Sequence, residues 1–240
     1  MELTEKFSLF ERTYLSISHI VAAAHFARIG AALEADESKI FIGSGKFSED
    51  WLYEHRACVT ASILSSTAFL EATINELYAD AFQNFPELQP ALDPESLRLL
   101  AEKWMDTKSG RRKTTLEKYQ SALEAARRER FNQGEAPFQP IKNIMDLRNA
   151  LLHYVPETRE SALDSDSEVA FMNDLEKALR GKFSPSPLYR NSTTPFFPEK
   201  CLGAGCARWA VATCLGFTDE FFARIGLPPT YDHVRARLNT

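Results

Sequence analysis

Long hydrophobic runs and a secretion signal are both missing from this 240-residue sequence. No stretch of about 18 apolar residues exists, which predicts that no segment spans a membrane. The N-terminal residues MELTEKFSLFERTY are charged and lack the apolar core of a signal peptide. Together these absences predict a cytoplasmic protein with no membrane partner.

Cysteine is scarce, and its spacing does not suit a metal site. The four residues Cys58, Cys201, Cys206 and Cys214 include no C-x-x-C pair, whereas zinc ligands are usually paired roughly two to four residues apart. The last three lie in an Ala-rich, helix-like stretch, where free cysteine behaves as a small buried hydrophobe. We therefore predict buried, unpaired cysteines and neither a metal nor another cofactor.

Alternating runs of β-branched residues, which indicate β-strands, are also missing. The sequence instead predicts helices over about 12–36, 50–84, 94–106, 113–131, 138–156, 167–180 and 199–226, with a short tail helix after the prolines at 228–229. A long loop rich in proline and serine covers 182–198. We predict a single all-helical domain over 1–240, in which 86–137 forms a charged helical insertion.

Net positive charge is lacking as well. The chain carries −5 at neutral pH, which argues against a general nucleic-acid-coating protein. However, residues 98–130 contain ten Lys and Arg against five acidic residues. Such a segment either binds phosphate groups or forms a solvated helical hairpin, and the sequence leaves both interpretations open. If it binds RNA, the expected contacts are Arg111, Arg112, Lys113, Arg127 and Arg128.

One helix of the sequence carries a charged residue on its apolar face. At 100° per residue, the apolar residues of QPIKNIMDLRNALLHYVPE share one side, and Arg148 falls in the middle of it; these residues are Ile141, Ile144, Leu147, Leu151, Leu152 and Val155. An unpaired buried guanidinium is costly, so we expect Arg148 either to form a structural salt bridge or to bind a phosphate. Glu71 is a candidate partner, because it lies at the margin of the apolar face of the long helix, with Asn75 one turn on; Glu76 and Asp80 are predicted to face solvent.

A histidine follows on the other side of the same helix. His153 lies one turn after Asn149, so the amide side chain could orient the imidazole or form a hydrogen bond with it. On a straight helix, Arg148 and His153 are about 140° apart. Either the last turn loosens before Pro156, or the two residues act together across an interface between copies of the chain.

The segment RNALLH at 148–153 resembles the R-x(4–6)-H signature of the HEPN superfamily, including the polar residue, Asn149, directly after the arginine. The run SSTAFLEATINELY at 65–78 resembles the second helix of bacterial HEPN proteins. The resemblance covers 12–36, 50–84, 138–156 and one or more later helices. RTYLSISH at 12–19 has a matching spacing, but it lacks the apolar setting and the Asn or Asp after its arginine.

The resemblance implies a helical bundle of HEPN type, with an inserted hairpin and additional C-terminal helices, that forms a homodimer with the two motifs facing each other. Many HEPN members are metal-independent endoribonucleases, often toxins or antiviral effectors, which makes RNA the expected substrate and an antitoxin or regulatory protein a candidate partner. If the roles of the HEPN motif apply to this sequence, Arg148 stabilises the negative charge at the scissile phosphate, and His153 is the general base for the ribose 2′-OH. Asn149 supports His153. Glu71, Asn75 and Tyr154 are expected to support the catalytic residues.

Two other functions stay open. Some HEPN relatives have no nuclease activity and serve as nucleotide-binding or partner-binding modules, and a plain dimeric scaffold is disfavoured only by the position of Arg148. The insertion between the helices is also longer than in a minimal HEPN hairpin. The remaining histidines are not predicted to be functional: His19 and His25 lack metal-site spacing, and His55 and His233 are expected at the surface or at helix ends.

Overall fold

The structure, a computed structural model, describes residues 12–36, 49–84, 91–108, 113–156, 172–189, 192 and 194–240. Within these ranges the regular secondary structure is helical throughout, which confirms the predicted all-α class. The α-helices are α1 (Leu15–Ala35), α2 (Glu49–Phe82), α3 (Pro94–Lys108), α4 (Thr115–Ala125), α5 (Phe138–Leu152), α6 (Asp174–Leu179) and α7 (Ala204–Ile225). Short helical turns cover Pro187–Tyr189, Phe196–Lys200 and Asp232–Arg237.

Helix α2 is the central element of the fold, and it contacts α1, α3, α4, α5 and α7. Its neighbour α1 presents small side chains to the core, including Ala23 and Ala27, so the two backbones approach closely. At Gly30 an added Cβ would lie 3.3 Å from Val59 Cγ2. The Ser62 hydroxyl of α2 donates to the Ala23 carbonyl at 2.8 Å. The Ala-rich composition of α1 is therefore a packing requirement of this helix pair.

Helix α4, which lies in the segment predicted as a charged insertion, is a core element. The Tyr119 ring packs edge-on against Phe217 and Phe221 of α7, with ring centroids 4.9 and 4.7 Å apart. Its hydroxyl donates to the Leu70 carbonyl of α2 at 2.9 Å, and burial raises the pKa of this hydroxyl. Helix α4 is thus largely buried, including the polar side chains of Lys118 and Gln120, and its exposed residues are Glu117 and Glu124.

Two helices end earlier than the sequence predicts. Helix α4 ends at Ala125, and Arg127 then takes a left-handed conformation (φ 55°), which turns the chain out of the predicted 113–131 helix. Helix α5 begins at Phe138 as predicted but ends at Leu152, because Pro156 has no N–H to donate to the Leu152 carbonyl and its ring would clash with that carbonyl in a longer helix.

Three of the four cysteines are buried, as predicted. Cys201, Cys206 and Cys214 are free thiols with no solvent exposure, and Cys58 is half-buried. Burial raises the pKa of the Cys206 thiol, so this group stays protonated and packs as a small apolar side chain.

Two helices are long and apolar enough to cross a membrane, judged by length and composition alone. The relevant windows of α1 and α2 have mean hydropathies of 1.2 and 1.4. More than half of the α2 window is buried inside the protein, as in the core helix of a globular fold. These helices are therefore weak evidence for a membrane location, and the cytoplasmic location stays a prediction.

The prediction that His55 lies at the surface or at a helix end is wrong. Its ring is buried and stacks on Trp51, with ring centroids 5.5 Å apart and an interplanar angle of 9°. The His55 Nε2 atom lies 2.9 Å from Glu34 Oε1. The same carboxylate oxygen accepts the Ala204 N–H at 2.8 Å, at the first residue of α7. Glu34 thus links α1, α2 and the start of α7.

The prediction that Asp80 faces solvent is also wrong. Its carboxylate is buried, accepts a hydrogen bond from the Arg12 guanidinium, and lies 3.3 Å from the Tyr14 hydroxyl. Burial raises the pKa of Asp80 to about 6, although the neighbouring Arg12 acts in the opposite direction. Arg12 and Tyr14, which precede α1, therefore cover Asp80, although a helical wheel places Asp80 on the outer side of α2.

The raised pKa of Asp80 predicts a pH-dependent contribution to folding stability. Because its folded-state pKa of about 6 exceeds the ordinary value of 3.8, this contribution is complete below about pH 4 and is lost as the pH rises through about 6. We expect the free energy of unfolding of the wild type, relative to Asp80→Asn, to fall between these pH values. Urea unfolding at several pH values measures this difference, with the exposed Asp146→Asn as the control. A difference that does not change with pH would contradict the prediction.

Candidate functional site

The residues of the R-x(4)-H motif lie at the C-terminal end of α5. The side chains of Ile141, Ile144 and Leu147 are fully buried and hold α5 against α2 and α7. One turn further on, Arg148 is half-buried, and both Asn149 and His153 are exposed. The predicted buried face is therefore confirmed in the first turns of α5, and Arg148 lies at its edge instead of its centre.

The apolar residues at the end of α5 leave the core. The exposed fractions of Leu152, Tyr154 and Val155 are 50%, 50% and 71%. We call these three residues the α5-end patch. Leu152 and Val155 were expected on the buried face, but the helix ends at Leu152 and the chain runs outward from there. An exposed apolar patch beside polar residues is typical of an interaction surface.

Arg148 has a neutral side chain as its neighbour. Its Nη1 donates to Asn149 Oδ1 at 3.0 Å. In the part of the chain that the structure describes, Arg148 forms no ion pair, and the expected contact with Glu71 is not made. Glu71 instead lies 3.5 Å from Lys118 Nζ, which also donates to Asn75 Oδ1 at 2.9 Å. The two supporting residues from α2 thus hold Lys118.

Asn149 therefore orients the arginine and not the histidine. Its side-chain oxygen is used by Arg148, and its backbone carbonyl accepts the backbone N–H of His153 at 2.9 Å. Because this last hydrogen bond has helical spacing, the end of α5 does not loosen enough to bring the two motif side chains together.

A wide groove of about 880 Å³ lies between α2, α4 and α5, and Arg148 lies in its wall. The cations that line it are Lys113, Arg130, Lys142 and Arg148, and the acids are Glu71, Glu117, Glu124 and Asp146. Two of the acids have partners: Glu71 pairs with Lys118, and Glu117 completes the capping box of α4 with Thr114, which lowers the pKa of Glu117. Among the described residues, none of the four cations forms a salt bridge with a carboxylate. The groove can therefore accept an anion at its cationic positions.

Three of the basic residues predicted to contact RNA are described by the structure, Lys113, Arg127 and Arg128, and they do not all line the groove. Lys113 lines the groove, and its Nζ donates to Ser121 Oγ at 2.9 Å. Arg127 and Arg128 are exposed in the turn after α4 and lie outside the lining of the groove. Arg111 and Arg112 lie outside the described residues. The predicted set of RNA contacts did not include Arg130 and Lys142. Both line the groove, Arg130 from the chain after α4 and Lys142 from α5.

His153 lines a different depression from Arg148. This second site, of about 440 Å³, lies between the end of α5 and the loop before α7, and its lining includes Asn173, Phe197 and Glu199. The Tyr154 ring contacts Phe197, with ring centroids 6.2 Å apart. One chain thus presents its arginine and its histidine to separate cavities, as the 140° separation on the helix predicts.

The arginine of the second sequence match, Arg12 to His19, already has a carboxylate partner. Arg12 pairs with the buried Asp80 carboxylate and also donates to Gln83, so its guanidinium holds the start of α1 to α2. Within the described ranges, no group of three or more His, Cys, Asp or Glu side chains is placed to hold a metal ion.

No protein-family model matches this chain, and neither a curated protein nor a solved structure is significantly similar to it. The resemblance to HEPN proteins therefore rests on residues 65–78 and 148–153 alone and stays a prediction.

Proposed function

We propose that this protein is a metal-independent endoribonuclease of HEPN type, with an active site that forms between two copies of the chain. The observation that carries this proposal is the grouping of Arg148, Asn149 and His153 beside the α5-end patch, at an exposed helix end. A toxin or antiviral role, and an antitoxin or regulatory partner, belong to the proposal through the resemblance alone.

The surroundings of Arg148 support a role in phosphate binding. A guanidinium that is paired with a carboxylate must break that contact before it binds a phosphate, whereas the Arg148 guanidinium is held by the neutral Asn149 amide. Its remaining N–H groups can donate to two oxygens of one phosphate in a planar, bidentate geometry. Arg148 is therefore suited to stabilise negative charge on a phosphodiester.

The exposed His153 supplies the group that can move a proton. In the proposed reaction, His153 removes the proton of a ribose 2′-OH, and the 2′-oxygen attacks the adjacent phosphorus. The bond from phosphorus to the 5′-oxygen breaks, and this oxygen takes a proton from His153 of the partner subunit. The products are a 2′,3′-cyclic phosphate and a 5′-OH, and no metal ion or cofactor takes part.

The direct test of the function is RNA cleavage by the purified protein in the presence of EDTA. We expect fragments that end in 2′,3′-cyclic phosphate and begin with 5′-OH, identified by mass spectrometry and by end-labelling. Wild-type protein that binds RNA and leaves it uncut would exclude the nuclease function.

The α5-end patch predicts a dimer that depends on Val155. Burying one valine stabilises an interface by roughly 1.5–3 kcal/mol, and a two-fold symmetric dimer buries this residue twice. We expect Val155→Asp to convert a dimer into a monomer that keeps the helical circular dichroism spectrum of the wild type, and to remove RNA cleavage. Light scattering after size exclusion measures the mass, and Thr230→Asp is an exposed control on the chain segment after α7. A Val155→Asp protein that is dimeric, or monomeric and fully active, would contradict the composite site.

A second candidate is a non-catalytic module that binds nucleotides or a partner protein. The observation that favours it is the placement of Arg148 and His153 in separate cavities of one chain. This function predicts that affinity for a nucleotide survives His153→Ala and is lost in Arg148→Met. Degradation of RNA with cyclic phosphate ends would exclude it.

A further inference from the structure

The groove between α2, α4 and α5 extends well beyond the two motif residues that line it. Its lining includes Asn149, near the end of α5, and Phe138, the first residue of that helix. These two residues are separated by about 16 Å along the helix axis, at about 1.5 Å per residue. One strand of a stacked nucleic acid rises about 3.4 Å per nucleotide, so a groove of this length accommodates several nucleotides beside a phosphate bound at Arg148.

Cations without an ion pair outnumber such acids in this groove. Its charged lining residues are the cations Lys113, Arg130, Lys142 and Arg148 and the acids Glu71, Glu117, Glu124 and Asp146. Glu71 lies 3.5 Å from the ammonium group of Lys118, which adds a fifth positive charge beside the groove. Glu117 accepts the Thr114 N–H at 2.7 Å and caps the N-terminus of α4, where the helix dipole favours a negative charge. Among the described residues, the four lining cations therefore have no carboxylate partner, and only two acids, Glu124 and Asp146, have neither a cation nor a capping role.

Helix α5 separates its arginine from its acid within the groove. At about 100° per residue, Lys142, Met145 and Asn149 form one stripe along the helix, because they are three and four residues apart. Arg148 and Asp146 flank this stripe on opposite edges, about 160° from each other. Arg148 and Lys142 are about 9 Å apart along the axis, so they can contact different phosphates. A polyanion bound along the Arg148 edge therefore reaches Lys142 and is separated from Asp146 by the stripe.

The backbone around Arg130 is fixed by hydrogen bonds to two helices. The side-chain amide of Gln120 donates to the Phe131 carbonyl at 2.8 Å and accepts the Phe131 N–H at 2.9 Å. The Arg130 carbonyl accepts from Arg224 Nη1 at 3.2 Å. The side chain of Arg130, in contrast, is exposed and lines the groove. A backbone that is already ordered adds no ordering cost when its side chain binds a ligand, which favours a specific contact at this position.

Apolar side chains are also open to the groove. Leu116 of α4 and Met145 of α5 line it, and both are half-buried. The faces of nucleobases are covered by stacking in a duplex, whereas an unpaired strand exposes them and packs them on protein side chains. The groove therefore suits a single strand better than a duplex.

We propose that this groove binds the single-stranded RNA next to the scissile phosphate, with Lys142 and Arg130 each contacting a backbone phosphate. The choice of RNA rests on the proposed function, whereas the preference for an anionic single strand follows from the groove itself. Leu116 and Met145 contact the faces of the bases and do not read their edges, so the affinity depends only weakly on sequence.

A strand that cannot be cut tests the groove separately from the reaction. A short, fully 2′-O-methylated RNA lacks the attacking hydroxyl group, and its binding to the full-length protein is measured by fluorescence anisotropy. We expect saturable binding that weakens as the salt concentration rises. The same strand annealed to its complement should bind roughly tenfold more weakly. Absence of binding, or equal binding of the single strand and the duplex, would overturn the proposal.

The variants Lys142→Ala and Arg130→Ala identify the contacts. Each should reduce the slope of the logarithm of the association constant against the logarithm of salt concentration by about 0.7, the value for one phosphate contact of a single strand. This change corresponds to roughly a fivefold loss of affinity at about 0.1 M salt relative to 1 M. The matched controls Lys177→Ala and Arg128→Ala remove the same charges at exposed positions outside the groove and should keep the wild-type slope. Because all four side chains are exposed, circular dichroism should show the wild-type fold. Slopes that are unchanged in Lys142→Ala and Arg130→Ala, or that fall equally in the controls, would overturn the assignment.

Groove binding and cleavage are measured independently, so each can fail alone. If the wild type cleaves RNA but Lys142→Ala and Arg130→Ala bind the methylated strand as the wild type does, the groove assignment is wrong and the nuclease function stands. If the wild type binds the methylated strand through these two residues but leaves unmodified RNA intact, the nuclease function is excluded and the groove assignment stands.

Discussion

Replacing His153 with alanine is expected to lower the rate of RNA cleavage by roughly 10²–10⁴-fold, the range that a general acid or base contributes. The fold should not change, because the side chain is exposed and follows the last residue of α5. Initial rates on an end-labelled RNA in EDTA, together with the thermal unfolding midpoint, measure the two effects. The control is His25→Ala, which removes an exposed histidine from α1. A fully active His153→Ala protein would exclude the proposed role.

Mixing the wild type with His153→Ala distinguishes a site shared by two copies from a site within one chain. If cleavage needs the histidines of both copies, random pairing at an equal ratio leaves about one quarter of the wild-type activity. If each chain carries a complete site, about one half remains, because activity then follows the fraction of wild-type chains. Co-expression at several ratios, with the three kinds of dimer left unseparated, makes this measurement. We expect the quadratic dependence on the wild-type fraction.

Replacing Glu34 with alanine is expected to lower the free energy of unfolding by about 2–6 kcal/mol, because two buried donors lose their acceptor and each such loss costs about 1–3 kcal/mol. Glu34 Oε1 accepts from His55 Nε2 at 2.9 Å, from the Ala204 N–H at 2.8 Å and from Ser186 Oγ at 3.4 Å. The alanine variant leaves the buried His55 ring without this acceptor. It also removes a negative charge from the N-terminus of α7, where the helix dipole favours one.

Urea unfolding monitored by circular dichroism measures this loss. The matched control is Glu54→Ala, which removes an exposed glutamate from α2 near His55 and should change the stability by less than about 0.5 kcal/mol. Because Glu34 lies outside both the groove and the depression at His153, RNA cleavage per folded molecule should not change. A loss of stability in Glu34→Ala no larger than that of the control would show that the contact with the start of α7 contributes little.

The apolar pattern of the sequence was sufficient to predict the positions of several helices and part of the geometry of the candidate site. It predicted α1, α2 and the start of α5 to within a few residues, because a side of a helix that packs on the core must be apolar at a fixed angular spacing. The same pattern predicted that Ile141, Ile144 and Leu147 are buried, and they are. It also predicted that Arg148 and His153 point to different sides of α5, since the angle between two residues is a property of the helix alone.

The tertiary structure decided which sides of those helices are covered by other segments of the chain. Asp80 occupies a wheel position that suits solvent, but Arg12 and Tyr14 cover it, and the buried His55 contacts Glu34 of α1. Arg12, Tyr14 and Glu34 are remote in sequence from the residues that they contact, so the periodicity of α2 contains no information about them.

The local sequence determined on which side of α5 each motif residue lies, but it did not determine which neighbours surround that residue. The α5-end patch is exposed, and Arg148 is only half-buried, because α5 ends at Leu152, beyond the last contacts that bury its apolar face. Burial is a property of the neighbours that reach a side chain, whereas sequence periodicity records only the side of the helix on which it lies. The sequence by itself thus determined the helices and the motif, and the packing of α2, α4 and α7 decided which motif residues are left exposed.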